Sequence, residues 1–252
     1  MISLRPYVLA ATLRRPFRVG RLVSRAVTSP VPIVGGTGAL GFALALRLAR
    51  EGAPIALGSR RLEAAQQAAK RLRERVPGAS VEGLANSDAA SRGPIVVLSV
   101  PFRAQSESLT NLKASLAPGQ VLFDVTVPLA AAVSGRATRL LGVPQGSAAQ
   151  QALEMAPDGV EVVSGLHTVS ARTLADFDEA LDEDVLLAGD DHDAKARVAA
   201  LLATIPGLRP VDCGPLEVAR LIEGLTPLLI SVNSRYKAHA GVRLIGLPDP
   251  RW

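Results

Sequence analysis

The sequence is poor in cysteine, in aromatic residues and in long apolar runs. Cys213 is its one cysteine, which excludes an internal disulfide or a cysteine-built metal site and suits a reducing cytoplasm. Aromatic residues make up 3% of the chain, which argues against a base-stacking nucleic-acid surface. The longest apolar run, around residues 225–232, falls short of the roughly 20 apolar residues that cross a bilayer. We therefore expect a cytoplasmic protein that binds neither nucleic acid nor membrane.

Histidine is also scarce. The three histidines, His167, His192 and His239, are not spaced as metal ligands, and we expect no metal site. His192 stands among three aspartates and is predicted to lie at the solvated start of a helix.

Acidic residues are missing from the first thirty positions, which contain six arginines; their combined charge of +6 exceeds the net charge of +5 of the whole chain. This composition is typical of a transit peptide. A disordered leader, or a start codon placed too far upstream, would give the same pattern. We predict residues 1–30 to be an Arg-rich leader, disordered or targeting. The remainder is close to neutral, so a DNA-binding interpretation has little support.

Apolar strands alternate with helices after this segment, and hydrophobic residues make up 48% of the chain. The alternation predicts the α/β class, with a Rossmann-type doubly wound parallel sheet. Pro32 is awkward within the first strand and suggests an edge strand or a late strand start. The predicted strands in the first half are residues 31–34, 55–58, 81–84, 95–100, 121–125 and 160–164.

The second half has a different pattern. Strands are predicted at residues 185–188 and 209–212, and helices at 193–204 and 216–236. We predict a Rossmann domain over residues 31–165 and a smaller C-terminal α/β domain over 166–252. The smaller domain is expected to close over the carboxyl ends of the strands, where such folds bind ligands.

The strongest local motif is Gly36-Thr37-Gly38-Ala39-Leu40-Gly41, which follows a strand and opens a helix. The first glycine permits a tight turn, the second lets a pyrophosphate approach the backbone, and the third allows close packing of helix on strand. An ordinary glycine-rich turn is the alternative. The strand–turn–helix context favours dinucleotide binding.

The end of the second strand indicates which dinucleotide. An NAD site places an acidic residue there, about 20 residues after the glycines, for the ribose hydroxyls. Ser59, Arg60 and Arg61 stand there instead. Two guanidinium groups and a hydroxyl suit a 2′-phosphate, whereas cations at a helix start otherwise oppose the helix dipole. The sequence therefore predicts NADP.

Further motifs extend through both halves of the chain. Val100, Pro101 and Phe102 follow the fourth strand, and Thr126 follows the fifth. The remaining motifs are Leu166-His167-Thr168-Val169, Ala188-Gly189-Asp190-Asp191, Glu223-Gly224-Leu225-Thr226-Pro227 and Arg235-Tyr236-Lys237-Ala238-His239. The glycine-rich motif of residues 36–41 is called the glycine turn, and Ser59, Arg60 and Arg61 are called the arginine corner. Together with these two, the motifs resemble the NADPH-dependent coenzyme F420 reductases over residues 31–247.

The resemblance implies an oxidoreductase that passes a hydride directly between NADP(H) and the deazaflavin F420, without a catalytic acid or base. It also implies the cofactor contacts. Those at the 2′-phosphate are Thr37, Ser59 and Arg60, those at the ribose and nicotinamide are Val100, Phe102 and Thr126, and Ala171 approaches the nicotinamide amide. Expected F420 contacts are His167, Arg172, Lys237 and His239.

The sequence departs from the family pattern at two positions, and alternatives remain for the role of His167 and for the function. Ala64 replaces a basic residue of some relatives near the adenosine phosphate, and Ser170 replaces a proline. His167 either contacts F420 or is a framework histidine with its hydrogen bonds satisfied. An NADPH-dependent reductase of a flavin or ferric chelate is the alternative function, and a non-catalytic NADP sensor is a smaller one. The apolar face of residues 216–232 needs a partner, and we expect it to pack on the Rossmann domain of its own chain; a contribution to a homodimer is a further hypothesis.

Overall fold

The computed structural model describes residues 27–178, 180–248 and 252. The predicted leader lies outside them as far as residue 26. The strands are β1 Val31–Val34, β2 Ile55–Ser59, β3 Val81–Ala85, β4 Ile95–Leu98, β5 Val121–Asp124, β6 Glu161–Ser164, β7 Glu183–Gly189 and β8 Leu208–Asp212. The helices are α1 Ala39–Arg50, α2 Leu62–Arg75, α3 Asn86–Ala90, α4 Gln105–Leu112, α5 Ala148–Met155, α6 Ala171–Ala175, α7 His192–Leu202 and α8 Ala219–Tyr236.

All eight strands form one sheet, in the order β3-β2-β1-β4-β5-β6-β7-β8. The pairs are parallel except β6–β7, which is antiparallel. This arrangement confirms the predicted Rossmann-type α/β class. The two strands after residue 165 extend the sheet of the first half, and a division into folding units at that point stays a prediction.

The prediction that Pro32 marks an edge strand or a late start is wrong. β1 begins at Val31 and lies between β2 and β4. The Val31 N–H donates to Pro54 on the β2 side, so the nitrogen of Pro32 faces β4. Pairing with β4 begins only at Ile33. The ring therefore removes no hydrogen bond from the ladder.

The core lies on both faces of the sheet because successive strand residues point to opposite sides. Val97 and Phe123 pack with α1, α2 and α7, whereas Val96, Leu98 and Leu122 pack with α4, α5 and the first turns of α8. Burial of each such side chain contributes about 1.5–3 kcal/mol. Within the described ranges, no helix has both the length and the apolar content needed to span a bilayer.

Candidate functional site

The glycine turn connects β1 to α1 at the carboxyl end of the sheet, as predicted. Gly35 has a φ of +75°, and a Cβ atom there would lie 2.3 Å from the Ser99 carbonyl oxygen. Gly38 is the N-cap of α1 and provides no side-chain acceptor for the first N–H groups of the helix. A Cβ atom on Gly41 would lie 3.1 Å from the Gly35 carbonyl oxygen. The turn therefore presents a bare helix N-terminus, which attracts anions.

A cleft of about 620 Å³ lies beside this turn. Its wall is formed by the carboxyl ends of β1, β2 and β4 and by the first turns of α2 and α4. The cleft is lined by Gly35, Thr37, Gly38, Ser59, Arg60, Arg61, Ala64, Asn86, Ser99, Val100, Pro101, Arg103, Ala104, Glu107 and Ser108. We call it the first cleft. It gathers seven of the predicted cofactor contacts from three separate loops.

The arginine corner is open to an anionic ligand. Ser59 is buried, and its hydroxyl oxygen accepts the Arg61 N–H at 3.3 Å. Arg60 and Arg61 are exposed, and among the described residues neither guanidinium has a hydrogen-bond or ion-pair partner. Arg61 is also the N-cap of α2, where a cation opposes the helix dipole. A phosphate bound here would neutralise this unfavourable charge.

Asn86 belongs to the first cleft but was not predicted. Its side-chain oxygen accepts the Gly35 N–H at 3.3 Å and therefore holds the glycine turn against the end of β3. A Cβ atom on Gly58 would lie 2.9 Å from the same oxygen. The only signal in the sequence is a polar residue directly after a strand. That signal is too common to identify a functional residue.

A second cleft of about 410 Å³ lies between the loop after β6 and the carboxyl half of α8. We call it the second cleft. It is lined by His167, Thr168, Val169, Ser170, Thr226, Leu229, Ile230, Asn233, Ser234, Ala238, His239 and Ala240. Two of the predicted F420 contacts, His167 and His239, lie in it. Its wall is held by Asn233, whose side chain exchanges two hydrogen bonds with the backbone of Ala240.

The ring of His167 makes no hydrogen bond within the described residues. The side chain is buried, and within the described residues neither ring nitrogen has a partner. Burial lowers the pKa of the imidazole to about 3, so it is neutral at ordinary pH. Its backbone is fixed by Thr226, whose hydroxyl donates to the His167 carbonyl oxygen at 2.8 Å. An unsatisfied buried imidazole favours the ligand-contact interpretation over the framework one.

The end of β5 connects the two clefts. The Thr126 N–H donates to an Asp124 carboxylate oxygen at 3.0 Å, and the Thr126 hydroxyl donates to the Val100 carbonyl at 3.5 Å. The Gly165 N–H donates to the Asp124 carbonyl oxygen. Thr126 therefore lies between a wall of the first cleft and the loop that carries His167.

Nine predicted contacts line neither cleft. Gly36 and Gly41 are buried within the turn, where the Gly36 N–H donates to the Ile33 and Gly58 carbonyls. Thr126 is buried behind the clefts, and Arg172 and Lys237 are exposed elsewhere. Ala39, Leu40, Phe102 and Ala171 are near the clefts in sequence but are not among the lining residues.

Helix α6, which begins with Ala171, is held by both ends. The Ser170 hydroxyl oxygen accepts the N–H groups of Arg172 and Thr173, so this serine acts as an N-cap that a proline could not provide. At the other end, Arg47 of α1 donates to the Thr173 and Leu174 carbonyl oxygens at 2.9 and 2.7 Å. The sequence pattern gave no sign of this buried arginine.

A buried polar network lies behind the clefts and was also missed. The Gln105 amide donates to the Asp124 carboxylate at 2.7 Å and to the Ala148 carbonyl at 3.0 Å. The Glu223 carboxylate of α8 accepts the N–H groups of Ala148 and Ala149 at the start of α5. Burial raises the pKa of Asp124 to about 7 and that of Glu223 to about 8. The hydrogen bonds that these carboxylates accept lower the pKa, but by less than burial raises it.

These raised pKa values predict that stability falls as pH rises. A carboxyl with a raised pKa binds more protons in the folded state, so its contribution is complete below about pH 4.5 and is lost through about pH 8. At about 1.4 kcal/mol per pKa unit, the loss from Glu223 is a few kcal/mol. We expect the urea midpoint to decrease between pH 5 and 8.5. The Glu223→Gln variant should show a smaller decrease, and equal slopes for both proteins would contradict the assignment.

The fold and the two clefts define the class of the molecule. A glycine turn at the N-terminus of α1 and an arginine corner after β2 are characteristic of a Rossmann dinucleotide-binding protein. The family model described as NADP oxidoreductase coenzyme F420-dependent matches residues 30–128. Two curated relatives named F420-dependent NADP reductase match most of the chain, and the protein belongs to this family.

The relative from Methanocaldococcus jannaschii is 41% identical over 222 residues, which cover 86% of this chain and 98% of the relative. That from Methanothermobacter thermautotrophicus is 39% identical over 224 residues, with coverage of 87% and 96%. A crystal structure of a putative F420-dependent NADP reductase from Arthrobacter sp. FB24 superposes with a TM-score of 0.71. It is 27% identical and covers 84% of this chain and 96% of that one.

Proposed function

We propose that this protein transfers a hydride directly between NADP(H) and coenzyme F420. The observation that carries the proposal is the pair of clefts at the carboxyl end of one sheet, joined through the end of β5. The names of the family and of its curated relatives support the same pair of substrates. Two clefts are what a direct transfer needs, since the reaction depends mainly on holding two rings together away from water.

The first cleft fits NADP. The bare N-terminus of α1 suits the pyrophosphate, because Gly38 at its N-cap has no side chain between the cleft and the first N–H groups of the helix. Ser59, Arg60 and Arg61 suit the 2′-phosphate, because the hydroxyl and the two guanidinium groups face the same cleft. Val100 lines the end of the cleft nearest Thr126, where the nicotinamide would lie.

The second cleft fits a planar, partly polar ring system. Leu229 and Ile230 supply apolar wall, and the unpartnered groups of His167 and Thr168 supply hydrogen-bond donors and acceptors. Neutral His167 has one nitrogen that donates and one that accepts, which suits a heterocycle with carbonyl and N–H groups. When both substrates are bound, a hydride passes between C4 of the nicotinamide and C5 of the deazaflavin. The chain itself orients the rings and excludes water.

The outer face of α8 supports a homodimer. Leu221 and Leu228 lie seven residues apart on this helix and are 64% and 56% exposed. Two such stripes could cover each other in a symmetric pair. Sedimentation of the purified protein should give twice the subunit mass, and a single-subunit mass would contradict the dimer.

We also place the protein in the cytoplasm, which suits its single free cysteine, Cys213. Cell fractionation should recover it with soluble cytoplasmic enzymes.

The first test of the proposed function is spectroscopic. The purified protein is mixed with NADPH and oxidised F420, and the loss of the deazaflavin absorbance band is followed, with NADH as the control. We expect rapid bleaching with NADPH and little with NADH. Tight NADPH binding without bleaching would contradict F420 as the acceptor and favour a flavin or a ferric chelate. Failure to bind NADPH at all would contradict the proposal as a whole.

A further inference from the structure

Arg103 is a cation of the first cleft that neither the motifs nor the resemblance assign. It lies in a short 3-10 turn, Phe102–Ala104, between the end of β4 and the start of α4. Arg60 and Arg61 reach the cleft from the end of β2, and β1 lies between β2 and β4 in the sheet. The cleft therefore has guanidinium groups on two sides, from elements that lie on either side of β1.

The placement of these arginines is unfavourable without an anion. Arg61 caps α2, and Arg103 lies two residues before α4, so both cations are near the positive end of a helix dipole. Such a placement is unfavourable for each cation, because like charges repel. Two helices that carry this cost towards the same cleft indicate a common anionic ligand.

Arg103 is also available for a ligand. Its side chain is exposed and, among the residues that the structure describes, has no hydrogen-bond or ion-pair partner. Glu107 lies four residues later and lines the same cleft, yet the two side chains form no ion pair within 4.0 Å. Ala64, on the first turn of α2, leaves a gap among the cations on the β2 side. Arg103 lines the same cleft from the β4 side.

We infer that Arg103 is a specificity-determining residue that binds the 2′-phosphate of NADP opposite Arg60 and Arg61. The inference rests on the proposed function, because it takes NADP as the ligand of the first cleft. The pyrophosphate has its own site at the start of α1. The unassigned cation therefore selects the phosphate that distinguishes NADP from NAD. Glu107 weakens the site in the unmodified protein, because its carboxylate repels a phosphate and attracts Arg103.

The test uses two mononucleotides that differ only in the 2′-phosphate. Adenosine 2′,5′-bisphosphate and 5′-AMP are titrated into the full-length protein by calorimetry. We expect Arg103→Ala to weaken the bisphosphate about tenfold, as loss of one charge-assisted hydrogen bond implies, and to change 5′-AMP less than twofold. Arg103→Lys should recover part of the loss. Glu107→Gln should tighten the bisphosphate about threefold, a gain that misfolding cannot produce.

The control variant is Arg136→Ala, which removes an exposed arginine outside both clefts and should leave both affinities unchanged. An equal loss for both nucleotides in Arg103→Ala would overturn the inference and assign the residue to the adenine or the 5′-phosphate. No loss for either would also overturn it, while leaving the NADP proposal intact. If the wild-type protein binds neither the bisphosphate nor NADPH, both proposals fail together.

Discussion

Replacing Ser59 with aspartate should lower the affinity for NADPH about 100- to 1,000-fold and raise that for NADH severalfold. Ser59 is buried at the end of β2 and lines the first cleft beside Arg60 and Arg61. A carboxylate there lies where the 2′-phosphate is expected, and two like charges about 4 Å apart repel by about 4 kcal/mol at an effective dielectric constant of about 20. The same carboxylate can accept hydrogen bonds from the free 2′-hydroxyl of NADH.

The measurement is the dissociation constant for each nucleotide, with kcat/KM in the F420 assay as a second readout. Ser80→Asp is the matched control, since Ser80 is exposed directly before the amino end of β3, away from both clefts. It should leave both affinities unchanged. A Ser59→Asp protein that still prefers NADPH would contradict the placement of the 2′-phosphate at this corner.

The local parts of this site could be predicted from the sequence because each depends on residues close together in the chain. The glycine turn needs one strand end and one helix start, and the arginine corner follows directly from the next strand. Both motifs also follow the carboxyl ends of parallel strands, which lie at the same edge of a doubly wound sheet. The pairing of β1 with β2 then brings the two motifs into one cleft.

The residues that could not be predicted are those whose contacts join segments that are far apart in the chain. Asn86 holds Gly35 from 51 residues away, and Arg47 holds α6 from 127 residues away. The Gln105–Asp124 contact and the Glu223 contact with α5 are of the same kind. A single asparagine or arginine in a predicted strand or helix is more often a solvent-exposed surface residue than a buried contact. Only the packed fold distinguishes these residues from the rest.

Pro32 illustrates how a sound local rule was overruled. Proline removes a hydrogen-bond donor from a ladder, so it argues against a central strand. Pairing with β4 starts one residue after Pro32, at Ile33. The ladder therefore has no hydrogen bond at Pro32 for the missing N–H group to break. Register depends on the packing of the whole sheet and is not available from the run of residues 31–34 itself.

Removing the His167 side chain should have the second-largest effect on function. We expect His167→Ala to raise the KM for F420 about 10- to 100-fold and to leave NADPH binding unchanged. The imidazole is buried at the wall of the second cleft with both nitrogens unpartnered among the described residues. Loss of a hydrogen bond that leaves a ligand group unsatisfied costs about 1–3 kcal/mol, which corresponds to this range.

The pH profile separates this role from acid–base catalysis. Burial holds the pKa of His167 at about 3, so the wild-type protein should show no inflection between pH 5 and 8 that disappears in the variant. His192→Ala is the matched control, because His192 is exposed at the start of α7, near Asp193 and outside both clefts. It should leave both KM values unchanged. A His167→Ala protein with an unchanged KM for F420 would place the deazaflavin elsewhere, whereas a parallel loss of NADPH binding would show that the histidine supports the fold around both clefts.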